Sequence, residues 1–183
     1  MGILARTWVK AHERGTPFER LFAAEYSRVV AVAHRILGDA HEAEDVAQDV
    51  FCSFYSGHPS DAPYAAAWLH RAAAHAALNV VRGQRRRRRR ETAEATAQER
   101  LAGGGEMSLD PQRAVEADES RREVREALGR LPQKKAAVLV LRYTGLSYSE
   151  IAAALGINAG QVGTLLRRAE AAFRKEMTHE TPR

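Results

Sequence analysis

The sequence has a single cysteine, Cys52, among 183 residues. An internal disulfide is excluded, and a thiolate metal cluster has no set of ligands to build it. Cys52 falls among Val50, Phe51 and Phe54, so the expectation is a thiol packed on a helix face. No apolar run approaches the roughly 20 residues needed to span a bilayer, so no membrane insertion is expected. The N-terminus lacks the apolar core of a signal peptide, and a cytoplasmic protein is expected. No stretch alternates polar and apolar residues as a β-strand would, and no repeat of about 20–50 residues is visible. Clustered His, Cys and carboxylate ligands at metal spacing are also missing, so neither a metal nor another cofactor is expected.

What is present is a basic, helical chain. The formal net charge is +5 and the pI about 9.7, a balance that favours nucleic-acid partners without proving one. The most informative stretch is 145–175. Ser147 is a suitable N-cap and Glu150 follows three residues later, which makes a capping box. Ile151, Ala152 and Leu155 form one apolar stripe, and Gly156 suits the left-handed stop of a short helix. Asn158 is a second N-cap. Val162, Leu165, Leu166, Ala169 and Phe173 then recur at three- and four-residue steps. Short helix, glycine turn and longer helix is the helix-turn-helix pattern, whose second helix enters the major groove. Arg167, Arg168, Arg174 and Lys175 lie toward its far end, where cations meet phosphates and suit the helix dipole.

The rest of the chain is read in order. Residues 1–16 form a lead-in in which Trp8 and Val9 stand out. From Pro17 to Leu37, Phe18, Leu21, Phe22, Tyr26, Val29, Val30, Ala33 and Ile36 predict a helix that Gly38 ends. Asp39 caps the next, from about Ala40 to Tyr55. Ala43, Val46, Ala47, Val50, Phe51 and Phe54 form its apolar side, and Glu42, Asp45, Gln48 and Asp49 share the other. Ser56–Pro63 is turn-rich. A third helix is expected from near Pro63 to about Arg82, with Trp68, Leu69, Ala72, Ala76 and Val80 inward and His70, Arg71, His75, Asn79 and Arg82 as polar contacts. Arg85–Arg90 is an unbroken run of six arginines, too dense to bury and so a solvated helix end or tail. Residues 91–117 carry Gly103, Gly104, Gly105 and Pro111 and few large apolar residues, which reads as a linker. Two further helices follow, over Asp118–Gly129 with Val124 and Leu128 inward, and over Gln133–Tyr143 with Ala137, Val138 and Leu141 inward.

Two all-helical modules in this order resemble the bacterial RNA polymerase sigma factors of the extracytoplasmic-function group. The motifs are Arg35–Phe51 (RILGDAHEAEDVAQDVF), Ala67–Arg71 (AWLHR), Leu131–Tyr143 (LPQKKAAVLVLRY) and Leu146–Ala152 (LSYSEIA). The resemblance implies an all-α fold of two small helical domains joined by a flexible linker. Residues 17–90 would be region 2, 91–117 the linker, 118–178 region 4 with the helix-turn-helix, and 179–183 a tail. It implies a transcription initiation factor that binds core RNA polymerase, through the β′ clamp helices and the β subunit, and promoter DNA. It also implies control by an anti-sigma factor and no catalysis of its own. Glu44, Asp45, Gln48 and Asp49 map to the polymerase-binding pattern. Ser56, Gly57 and His58 lie in the loop corresponding to the flipped-base pocket of the minus-ten element. Arg71, His75, Asn79 and Arg82 match the following helix, which meets that element as single strands form. Asn158, Ala159, Gln161, Thr164, Arg167 and Arg168 match the reader of the minus-thirty-five element. The chain departs from the pattern at Gly163 and Leu165, where relatives commonly carry basic residues, and at Ala74-His75, where they often carry Arg-Asn.

Two other classes explain less. A stand-alone helix-turn-helix regulator accounts for the DNA-binding stretch but not for the acidic helix. A carboxylate-metal hydrolase built on His41, Glu42, Glu44 and Asp45 lacks a second histidine on a matching face and a nucleophile motif.

Overall fold

In the computed structural model, residues 15–99 and 112–178 are described, with side chains at 15–91 and 119–178. The lead-in residues Trp8 and Val9, and the glycines of the linker, lie outside them. Seven helices occur among the described residues: α1 Pro17–Leu37, α2 Ala40–Gly57, α3 Ala65–Glu99, α4 Gln112–Arg130, α5 Gln133–Tyr143, α6 Tyr148–Leu155 and α7 Ala159–Thr178.

Local chemistry sets most of the boundaries. Thr16 and Glu19 form a capping box at the start of α1. Gly38 ends that helix at φ 72°, a left-handed value that costs a β-carbon strain and glycine nothing. Asp39 accepts from the Glu42 amide at 2.9 Å, as its position predicts. The accepted bonds from Glu42, and less so from His41, hold the Asp39 carboxyl below its ordinary range. Ser147 and Glu150 form the expected box on α6, and Gly156 closes it at φ 60°.

Helices α1, α2 and the first half of α3 make the first module. Its core includes Val29, Val32, Ile36, Val46, Val50 and Phe54, with Leu69 and Leu78 from α3. Helices α4–α7 make the second. The α5 residues Ala136 to Leu141 are all buried, although only Ala137, Val138 and Leu141 are expected inward from the pattern. A helix apolar on every side must be covered on every side, and α5 packs on α7 and α6 of its own module and on α3 and α1 of the other.

Three expectations change here. The third helix does not stop near Arg82. It continues through the arginine run to Glu99, and α4 begins at Gln112, so helix occupies both ends of the stretch expected as linker. Arginine is a good helix former, and no glycine or proline interrupts the helix between Gly83 and Glu99. The modules are also in direct contact. Helix α3 packs against α4, α5 and α6 as well as α1 and α2. Its small residues Ala73, Ala74 and Ala77 are fully buried, which lets neighbouring helices approach closely. Cys52, finally, is exposed rather than packed; it lines a groove with Phe18, Phe51 and Tyr55.

Named polar ties cross the seam. Arg82 donates to the carbonyls of Gly129 at 3.3 Å and Leu131 at 3.0 Å. Arg125 Nη1 donates to the Leu37 carbonyl at 2.7 Å, a cation at the C-terminus of α1. Arg88 meets Glu126 at 3.3 Å, Arg28 meets Glu150, and the Arg35 guanidinium lies 6.0 Å from the Tyr143 ring centre. The Arg28–Glu150 pair is about 40% exposed on each side, so as an exposed pair it contributes at most about 1 kcal/mol. The half-buried bonds from Arg82 and Arg125 to backbone oxygen are the stronger class, about 1.5–3 kcal/mol each. The double substitution Arg82→Ala with Arg125→Ala is therefore expected to let the modules separate while each stays helical. Small-angle scattering would show a larger radius of gyration at unchanged circular dichroism, and an unchanged radius would show that apolar packing alone holds the seam.

Candidate nucleic-acid interface

The acidic side of α2 comes first. Glu44, Asp45, Gln48 and Asp49 are all exposed, whereas Ala43, Val46, Ala47 and Val50 between and beside them are buried. The alternation of faces follows from 3.6 residues per turn. Glu42, on the same side, is half-buried and accepts from Gln84 Nε2 at 3.0 Å, which takes it out of the free acidic surface.

The loop after α2 is built on rings. Ser56 and Gly57 are exposed and still within the α2 C-terminus, where the Ser56 hydroxyl donates to the Cys52 carbonyl at 2.9 Å. His58 follows as the C-cap. Its ring stacks on Phe54 at 5.2 Å and lies 4.8 Å from Trp68, while Tyr64 meets it edge-on at 5.8 Å. Phe54 is fully buried and Tyr64 about half exposed, so the cluster runs from the core to the surface beside the loop. Aromatic faces of this kind stack bases without regard to sequence. Trp68 packs against the core, as expected, and also closes this cluster.

On α3, Arg71 and Asn79 are exposed and His75 is half-buried. Burial pushes the His75 imidazole below its ordinary range, and the charges of Arg71 and Arg82 push the same way. Arg82 faces the seam and is committed to Gly129 and Leu131. His70, expected as a contact residue, is instead 2% exposed. Its Nε2 donates to Glu25 Oε2 at 2.9 Å. Helical periodicity puts His70 beside Arg71, but one step of about 100° turns it from solvent to core.

The helix-turn-helix presents a clean outer face. Asn158, Ala159, Gln161, Thr164, Arg167 and Arg168 are all exposed, while Val162, Leu166 and Ala169 are buried. Asn158 Oδ1 accepts from the Gly160 amide at 3.1 Å, and Gln161 Oε1 accepts from the Asn158 amide at 3.2 Å. Two of the expected base readers thus also fix the start of the helix. Leu165 is half-buried against the core, which explains an apolar residue there. A β-carbon at Gly163 would meet only Tyr148 Cε2 at 3.7 Å, an ordinary contact. Sterics therefore do not demand glycine.

Residues 21–87 match the family Sigma-70 region 2, and residues 121–173 match Sigma-70, region 4. Over 170 residues the chain is 31% identical to the RNA polymerase sigma-H factor of Pseudomonas aeruginosa, covering 87% of this chain and 86% of the relative. The chain belongs to the sigma-70 family. It is a sigma factor of the extracytoplasmic-function group, which binds core RNA polymerase and promoter DNA and directs transcription initiation. It is also 30% identical over 157 residues to the ECF RNA polymerase sigma factor SigW of Bacillus subtilis, covering 82% of this chain and 83% of that one. Among solved structures, CnrH in complex with the cytosolic domain of CnrY matches over 94% of this chain and 96% of that one, with a TM-score of 0.53 and 20% identity, a likeness of fold.

The structure brings some of the sigma factor's expected site residues together and separates others. The four α2 residues share one face, and Asn158 with the five α7 residues are all exposed around the outer part of that helix. Arg82 is turned away from Arg71 and Asn79 toward region 4. Sequence reasoning missed the ring contact of His58 with Tyr64, which no local spacing marks because the two meet across a turn, and left unused the i, i+4 spacing that sets His58 on Phe54. It also missed that Glu150, a capping residue by pattern, pairs with Arg28 of region 2. That partner, with the Ser147 bonds behind it, holds the Glu150 carboxyl down at about 2.

Two outcomes follow from these environments. Burial lowers the His70 pKa, and the adjacent Glu25 only partly opposes it. The unfolded chain therefore takes up a proton near 6.5 that the folded chain refuses. The stability this provides is complete above about 6.5 and declines as pH falls toward the lowered folded value. Thermal midpoints measured from pH 7.5 to 5.5 should fall, and His70→Gln should make that fall shallower; an equally steep fall would assign the pH dependence elsewhere. Gly163→Ala should raise stability to chemical denaturation by about 0.5–1 kcal/mol, because alanine is the better helix former and the site accepts its methyl. A lower denaturant midpoint would show that Gly163 serves a close approach within the fold.

Proposed function

We propose that the exposed face of Glu44, Asp45, Gln48 and Asp49 is the surface by which this sigma factor grips the β′ clamp helices, and that the α7 face of Asn158, Ala159, Gln161, Thr164, Arg167 and Arg168 reads the minus-thirty-five element. The observation that carries the reading is the pairing of an exposed acidic face on region 2 with an exposed, partly basic recognition helix on region 4 in one chain. The acidic face suits a basic protein partner, since carboxylates repel DNA phosphates. Ser56, Gly57 and His58, with the rings of Tyr64 and Trp68, are assigned to an unstacked base of the minus-ten element. Arg71, His75, Asn79 and Arg82 are assigned to the strands beside it. The reading gives the chain no catalysis of its own and a cytoplasmic place of action. No helix among the described residues is long and apolar enough to cross a membrane.

The packed seam makes this a closed form. The two promoter elements lie about one and a half to two turns of duplex apart, on the order of 50–65 Å. Helices α6 and α3 touch, so their modules cannot occupy both elements in this arrangement. Promoter binding then requires the seam to open, which also frees Arg82. The roughly 27 residues read as linker would reach at most roughly 90 Å if fully extended; with both of their ends helical here, they reach less unless those ends unwind. An anti-sigma protein that binds across the modules fits the same logic. CnrH, which shares the fold, was solved with the cytosolic domain of CnrY bound. Region 4 holds a cleft of about 470 Å³ whose apolar lining includes Leu128, Leu139, Val140 and Phe173, with Arg35 of region 2 at its edge.

The test is reconstitution with sigma-free core polymerase. The wild type should co-elute with core and initiate at specific promoters. Asp45→Arg with Asp49→Arg should lose co-elution while keeping its helix content. Undiminished binding of that variant would leave the acidic face a solvated surface only.

A further inference from the structure

Between α1 and α2 runs a groove of about 790 Å³ that the assignments above leave unused. Its lining is aromatic. Phe18 meets Tyr55 edge-on at 4.8 Å and Phe51 edge-on at 6.2 Å, and Phe22 lies 4.9 Å from Phe51. Rings in contact are common in cores, but two of these face outward: Tyr55 is 65% exposed and Phe22 38%. A lone exposed ring needs no explanation, whereas a contiguous apolar patch marks a surface that something covers. The groove also carries two exposed carboxylates, Glu19 and Asp61, and no cation among its described lining.

Thr16 and Pro17 line this groove as well, so residues 1–14, which lie outside the described residues, join the fold at the groove itself. Their chemistry complements it. Ile3, Leu4, Trp8 and Val9 are apolar. Three cations, Arg6, Lys10 and Arg14, less the one carboxylate of Glu13 leave a side-chain charge of +2 with histidine neutral. Reach is sufficient. Trp8 precedes Thr16 by eight residues, which cover about 12 Å as helix and at most roughly 29 Å extended. The stretch of α2 along the groove, Gln48 to Tyr55, is about 10 Å long. A tethered segment also acts at an effective concentration in the millimolar range, so a modest contact suffices for it where a separate chain would need a larger one.

We propose that this groove is the docking site of the chain's own residues 1–14, with Trp8 seated on the rings of Phe18, Phe22 and Tyr55 and with Arg6 and Lys10 toward Glu19 and Asp61. Tryptophan suits the place because it covers a large apolar area and packs edge or face against other rings. Gln48 lines the groove on the acidic side of α2, so the docked segment borders the face assigned to the clamp helices. Docking itself does not depend on that assignment.

Cys52 lines the same groove and is the chain's one cysteine, which makes it a reporter of occupancy. The test follows its reaction with a chromogenic aromatic disulfide in the full chain, with helix content checked by circular dichroism. Trp8→Ala should speed the reaction about tenfold, the factor given by a docking equilibrium favoured by about 1.4 kcal/mol. Trp8→Phe should keep most of the wild-type protection, and Arg6→Glu with Lys10→Glu should lose part of it at unchanged helix content. Equal rates in the wild type and Trp8→Ala overturn the proposal. Equal rates that drop only when core polymerase is added overturn it by giving the groove to a separate partner. Wild-type protection that disappears on dilution from about 50 to about 1 μM overturns it in favour of a second copy of the chain.

Discussion

The packing of α3 is the constraint on which the rest depends. Its buried side is made largely of alanine, leucine and valine, so α1 and α2 approach from one module and α4, α5 and α6 from the other. One helix therefore lies in the middle of a single buried core that runs through both modules. Close packing makes such a core intolerant of bulk. At Gly129 a β-carbon would already stand 3.1 Å from Val81 Cγ1, so the α3–α4 approach is tight where the two modules meet. The opposite side of α3 is left to solvent, and its polar residues are collected there by the same geometry.

That arrangement couples function to conformation through a few named groups. The Arg82 guanidinium is committed to carbonyl oxygens of region 4, and the role proposed for it on nucleic acid requires that seam to open. Glu150 caps α6 and also pairs with Arg28, so the start of the helix-turn-helix is tied to region 2. The ties are individually modest. Burial of Leu128, Leu131 and the α5 core contributes more, since each buried aliphatic side chain is worth about 1.5–3 kcal/mol. On the proposed reading, opening the seam must replace that burial with a partner surface of comparable extent.

The chain order of elements and nearly every helix start were legible in the sequence alone. Asp39, Ser147 and Asn158 act within three residues of themselves, and Gly38 and Gly156 act on their own φ angle. Interactions of that range are written in consecutive letters. The acidic face of α2 and the outer face of α7 were legible for a related reason: each is a periodicity within one helix. The family resemblance added partners to faces that the pattern alone left without a reason.

What the pattern could not carry was any contact between distant segments. Arg28 and Glu150 are 122 residues apart, Arg82 and Leu131 are 49 apart, and His70 and Glu25 are 45 apart. Charged and polar side chains look alike in sequence whether they meet water, a carbonyl or each other. The buried side of α5 is wider than its pattern predicts because a second covering comes from the other module, while Lys134 and Arg142 stay exposed. The expectation that α3 would end near Arg82 failed because a charge run signals exposure, and an exposed helix remains a helix. The sequence by itself determined the helices, their caps and their faces, because these are local. Only the tertiary structure decided which faces are covered, because covering requires a second segment whose position no local rule specifies.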